Sequence, residues 1–158
     1  METVKLNRVS KKFEQLITFN RQVIFPLICP VREEEWVNGW KYKMIYSGSG
    51  FIEKGCTYST ASENGQETIW YVTIHDDKKF IVEFLRNTPG EMIVRTNINL
   101  QDAGNGNTLF RVANEYTLLN GEMSSRFEKE LDDNFNKTMA YFGASLTQYL
   151  EAGAKLKM

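Results

Sequence analysis

The chain has 158 residues, with 19 Lys and Arg against 20 Asp and Glu, one His, and a formal net charge of −1. That length fits one domain that can bury a full core without disulfide or metal staples. With basic residues scattered among acids and a sequence pI of about 5.9, the chain carries no electrostatic footprint for nucleic acid.

The stretch TVKLNRVSKKF alternates Val4 and Leu6 with polar neighbours and predicts a first strand whose phase blurs after Val9. Residues 19 to 29 then carry Phe19, Val23 and Leu27 at helical spacing, but Pro26 limits or kinks that helix. Pro30 suits the first turn of a second helix, Glu33 to Glu35 lie near its positive end, and Gly39 stands where it stops. The longest apolar stretch, Val23 to Val31, is too short to span a bilayer and contains two prolines. METVKLNRVSKKF has no signal-peptide apolar core, so the expectation is a cytoplasmic chain with no integral membrane segment.

From Trp40 the period changes to two. WKYKMIYS sets Trp40, Tyr42, Met44 and Tyr46 on one face against Lys41, Lys43, Ile45 and Ser47. CTYSTA follows with Cys56, Tyr58 and Thr60 aligned. Asn64-Gly65 is a hairpin signal before ETIWYVTIH, which groups Thr68, Trp70, Val72 and Ile74. His75 and the acids after it read as an exposed turn. FIVEFLR aligns Phe80, Val82, Phe84 and Arg86; MIVRTNINL aligns Met92, Val94, Thr96, Ile98 and Leu100; LFRVANEYTL aligns Phe110, Val112, Asn114, Tyr116 and Leu118. After Asn120-Gly121 the period is helical again. Phe127, Leu131, Phe135, Met139, Phe142, Leu146 and Leu150 make one stripe, with Glu128, Lys129, Asp132, Asp133 and Lys137 on the outer side. A stripe of that length needs a large apolar partner, and the sheet is the one available.

The order of strand, two short helices, strand meander and long helix resembles the SRPBCC superfamily, the START-like helix-grip fold that includes polyketide cyclase/dehydrase and lipid-transport members. FPLICPVREEEWVNGW (25–40), SGSGFIEKGCTYST (47–60), ETIWYVTIHD (67–76) and TPGEM (88–92) carry the resemblance, which spans the whole chain. The Cys-Pro-Val-Arg-Glu segment and the tryptophans after it are similar to a bacterial subgroup with no assigned reaction. The resemblance implies a single α+β domain over 1–158, in which a curved antiparallel sheet wraps a long C-terminal helix. The resemblance also implies a cavity between them, with the two short helices closing one end.

On that architecture the inward faces become a pocket list. Its aromatic members are Trp40, Tyr42, Tyr46, Tyr58, Trp70 and Phe84; Arg86, Thr96, Asn114 and Tyr116 add polarity, and Phe135 and Met139 face them from the helix. Met44, Thr60 and Met92 share the same faces. Such a wall suits a small hydrophobic or aromatic ligand, although the same side chains could simply fill the core. Arg86 would suit a ligand carboxylate or carbonyl unless its stem runs along the core and its charge reaches water, and Asn114 could be satisfied by a neighbouring side chain. The run Arg32 to Glu35 reads as a solvated helix face; a functional version would turn Arg32 or Glu35 to the cavity mouth. Cys29 and Cys56 show no metal spacing and read as reduced and buried.

No catalytic residue, metal or cofactor is assigned. A single histidine gives no Ser-His or Cys-His pair, and the GSG and GNG clusters are hairpin turns with no helix behind them. Three roles follow: a carrier of a hydrophobic molecule, an enzyme of cyclase, dehydratase or hydrolase type using Arg86, Tyr42, Tyr46 or Tyr116, and an interaction module for a protein partner.

Overall fold

The computed structural model describes residues 7–62 and 64–156, so Val4 and Leu6 lie outside the described residues. Strand β1 (Arg8–Ile17) turns Val9, Lys11, Phe13, Gln15 and Ile17 inward, which fixes the phase that the sequence left open. A short helix α1 (Arg21–Ile24) follows, capped by Asn20, whose Oδ1 accepts from the Val23 amide at 3.1 Å. Pro26 opens a single 3-10 turn, Phe25–Leu27. Helix α2 (Pro30–Trp36) begins on Pro30, where the missing N–H leaves no bond unmade, and the chain leaves it through Gly39 at φ +77°. Two indoles pin this segment together: Trp36 Nε1 donates to the Leu27 carbonyl at 2.9 Å and Trp40 Nε1 to the Pro30 carbonyl at 2.8 Å.

The meander comprises β2 (Lys43–Tyr46), β3 (Thr57–Ala61), β4 (Glu67–Asp76), β5 (Ile81–Thr88), β6 (Met92–Gly104) and β7 (Asn107–Leu118). With β1 paired to β7, it forms one seven-stranded antiparallel sheet of order β1-β7-β6-β5-β4-β3-β2. The C-terminal helix α3 (Ser125–Ala152) is capped by Ser124, whose Oγ accepts from the Phe127 amide at 3.1 Å, and ends at Gly153 in the left-handed region. Its 28 residues run about 42 Å. The sheet curves around this helix, giving the α+β helix-grip fold.

The helix packs tightly on β1 at Gly143, where a Cβ would lie 2.0 Å from Gln15 Oε1. Ring pairs Phe13–Phe135, Tyr116–Phe135, Phe110–Phe142 and Trp36–Phe142 continue the contact. Lys11, inward on β1 and only 18% exposed, reaches Glu128 at 3.4 Å and Asp132 at 3.7 Å. Those two carboxylates therefore face the sheet, a correction to their expected place on the outer side of the helix.

Two bulges overturn local expectations, because one extra residue reverses which face the following side chains occupy. In β2 the register shifts between Met44 and Tyr46, and Tyr46 is 61% exposed. In β4 it shifts between Val72 and Ile74, so Ile74 turns out and His75 turns in. His75 is thus a strand residue rather than an exposed turn; it stacks on Phe25 at 5.1 Å, and burial lowers its pKa. Cys29 and Cys56 are free and buried. Among the described residues no helix is long and apolar enough to cross a membrane, and no cluster of His, Cys, Asp or Glu is disposed to hold a metal ion.

Candidate ligand-binding cavity

Between the sheet and α3 lies a cavity of about 380 Å³, a volume typical of small-molecule sites. Strand register explains how residues distant in sequence share its wall. Tyr58 pairs with Trp70, Trp70 with Arg86, Arg86 with Val94 and Val94 with Tyr116, which makes one row across five strands. A second row joins Phe84, Thr96 and Asn114. Paired residues in antiparallel strands point to the same face, so inward phase on one strand carries across the row. Phe135, Met139 and Phe142 of α3 close the cavity from the opposite side, and Pro30, Glu33 and Val37 from the α2 end.

The indole of Trp70 organises the aromatic part. Its Nε1 donates to Thr60 Oγ1 at 2.9 Å, which fixes the ring plane. Tyr58 stacks on it at 5.2 Å, Phe84 tilts against it at 5.2 Å, and Trp40 meets it edge-on at 5.9 Å. Met92 also lines the cavity.

All the sequence-predicted site residues except Tyr42, Tyr46, Met44 and Thr60 stand on the wall. Tyr42 packs behind Trp40 at 6.2 Å and edge-on to Tyr58, because β2 begins only at Lys43 and sheet alternation does not yet govern Trp40 to Tyr42. Tyr46 lies beyond the β2 bulge and faces outward. Met44, also off the wall, lies 3.8 Å from Cys56 Sγ. Thr60 serves the site indirectly, through the Trp70 indole.

The polar residues divide into two kinds. Thr96 Oγ1 donates to Asn114 Oδ1 at 2.7 Å and Asn114 Nδ2 donates to Tyr116 Oη at 2.9 Å, so the buried amide is satisfied by neighbouring side chains. Arg86 is not satisfied in this way. Its guanidinium stands 5.2 Å from the Trp70 ring centroid, its Nε is buried without a hydrogen-bond partner among the described residues, and burial pulls its pKa down against the influence of Tyr116 and Tyr58. The guanidinium stands on the cavity wall, half-buried, with its stem along the core.

Sequence reasoning missed Glu33. Its carboxyl faces the cavity, and burial raises its pKa to about 8. Pro30, Glu33 and Val37 fall at helical spacing, and once α2 is started at Pro30 they share a face; that is the signal the acidic run concealed. Arg32 and Glu35, the run's expected candidates, instead pair with one another outside the cavity, where Tyr149 Oη donates to Glu35 at 3.0 Å. Ser145 and Tyr141 of α3 were also missed; both line the cavity with buried hydroxyls that have no partner among the described residues. Tyr141 lies off the apolar stripe and left no trace in it.

No family model and no curated protein matches the sequence. Solved structures do share its fold. Norcoclaurine synthase from Thalictrum flavum, in complex with dopamine and hydroxybenzaldehyde, is 12% identical, with 92% of this chain and 88% of that one covered and a TM-score of 0.67. Major latex-like protein 151 from Panax ginseng is 14% identical over 92% and 97% of the two chains, with a TM-score of 0.61. The Mll3558 protein from Rhizobium loti is 10% identical over 87% and 96%, with a TM-score of 0.63. At these identities the likeness establishes the architecture: this chain has a cavity-forming helix-grip fold. That fold is shared by a synthase and by proteins whose names give no reaction.

Proposed function

We propose that this protein binds a small hydrophobic or aromatic molecule in the cavity between its sheet and C-terminal helix. The observation that carries this reading is the wall itself, a cavity of about 380 Å³ framed by Trp40, Tyr58, Trp70 and Phe84 with Phe135 and Met139 opposite. Apolar surface of that kind supplies affinity by burial, while Arg86, Thr96, Asn114 and Tyr116 supply orientation. Support of a different sort comes from a protein of the same fold that was solved with two aromatic molecules bound. Membership of the SRPBCC superfamily and a cytoplasmic location belong to the same proposal, resting on the sequence pattern.

Trp40 and Trp70 give the test its readout. A titration with apolar aromatic compounds is expected to change tryptophan fluorescence saturably, and the response should shrink in a Trp70→Phe protein. A flat response to every compound at concentrations up to their solubility contradicts the proposal.

One observation favours an enzymatic second reading of cyclase or dehydratase type. Glu33 holds a proton near neutral pH inside the same cavity, as a general acid or base must, and Arg86 and Tyr116 could polarise a carbonyl. It requires a substrate whose turnover is lost in Glu33→Gln while binding persists.

A further inference from the structure

Arg86 and Tyr116 flank Val94 in one row of the sheet, on alternate strands roughly 10 Å apart at the backbone, a gap across which long side chains converge. Their proximity is also electrostatic, since Tyr116 acts on the ionisation of Arg86. The hydrogen bonds that reach Tyr116 run in one direction. Thr96 donates to Asn114 and Asn114 donates to the tyrosine oxygen, so Tyr116 ends the chain, and its own O–H has no acceptor among the described residues.

Charge on the wall is equally one-sided. Among the described residues lining the cavity, Arg86 is the only base and Glu33 the only carboxyl, and no acid pairs with Arg86. With Glu33 retaining its proton at neutral pH, the cavity wall carries one partly buried positive charge with no carboxylate beside it among the described residues. A neutral ligand would leave that charge uncompensated, an amine would oppose it, and a dianion would exceed it. A carboxylate matches it in charge and can accept from a planar guanidinium and a hydroxyl together.

Resting on the reading of the cavity as a ligand site, we propose that its occupant is an apolar organic acid, a ring-bearing carboxylate held by the Arg86 guanidinium and the Tyr116 hydroxyl. The ring would lie among Trp70, Tyr58 and Phe84.

Two isosteric probes separate this inference from the reading beneath it: 2-naphthoate and 2-naphthamide, titrated by calorimetry at pH 7 into the wild-type, Arg86→Met, Arg86→Lys and Tyr116→Phe proteins. The wild type is expected to prefer the acid by about tenfold or more, as charge-assisted bonds in a partly buried site allow. Arg86→Met should erase the preference, Arg86→Lys should restore part of it, and Tyr116→Phe should weaken the acid by several-fold. Equal binding of the two probes by the wild type overturns the inference and leaves the cavity reading standing, and this arm requires no variant to fold. A preference that survives in Arg86→Met also overturns it. Binding of neither probe overturns both.

Discussion

Arg86 and Glu33 face one cavity from different walls, and both have lost water, yet they respond in opposite ways. Burial lowers the arginine's pKa from its ordinary value and raises that of the glutamate from 4.5 to about 8. A guanidinium starts so far above neutrality that it keeps its charge; a carboxyl starts close enough to give its charge up. Arg86 also gains partial compensation from the face of Trp70, whereas desolvation alone acts on Glu33. The sheet wall therefore presents a charge and the helical wall a proton, an asymmetry that a purely structural core would have no reason to keep.

The largest stability effect lies at the satisfied end of the sheet wall. Asn114→Ala leaves the Thr96 and Tyr116 hydroxyls without their shared partner and opens space beside them, and should cost about 2–4 kcal/mol by denaturant unfolding. If that loss is absent, the buried network does not hold β6 and β7 in the way described.

Glu33→Gln should do the reverse. The unfolded chain ionises this group near 4.5 while the folded chain keeps the proton up to about 8, so native stability falls progressively as pH rises between those values and levels off above them. The variant should gain about 1–3 kcal/mol over the parent at pH 7 and nothing at pH 4. Tyr58, Arg86, Cys29 and Tyr141 face the same cavity, but they are common to both proteins and cancel in the difference. An equal gain at both pH values would mean that the carboxyl is not desolvated.

Arg86→Met removes an unpaired buried cation and should melt at or above the parent temperature, with a gain on the order of 1 kcal/mol, since apolar replacements of buried charges are often neutral or stabilising. A marked loss would reveal a counter-charge that the cavity does not display. Smallest of all, Tyr46→Ala should change ligand affinity by less than about twofold and stability by about 0.5 kcal/mol or less, because its ring faces outward.

The contrast between strands shows what the sequence could disclose. β6 and β7 pair from Met92↔Leu118 to Asp102↔Thr108 without a shift, so simple alternation placed Val94, Thr96, Asn114 and Tyr116 correctly. β2 and β4 each contain a bulge, which alternation cannot anticipate, and there Tyr46, Ile74 and His75 fell on the wrong faces. The long helix was visible from its apolar stripe, but the inward turn of Glu128 and Asp132 depends on Lys11, a lysine on the buried face of β1. Glu33 was legible in principle, because Pro30 already marked the helix start and Pro30, Glu33 and Val37 share a face, but the run of three acids read as a solvated surface.

The central claim is that the space between sheet and helix is an occupied site rather than a packing defect. Native mass spectrometry tests it most directly, on the protein as purified and after incubation with 2-naphthoate and a set of apolar aromatic ketones and alcohols. The account predicts one discrete added mass per chain, lost on denaturation and recoverable by extraction. A bare protein mass under every condition would contradict it.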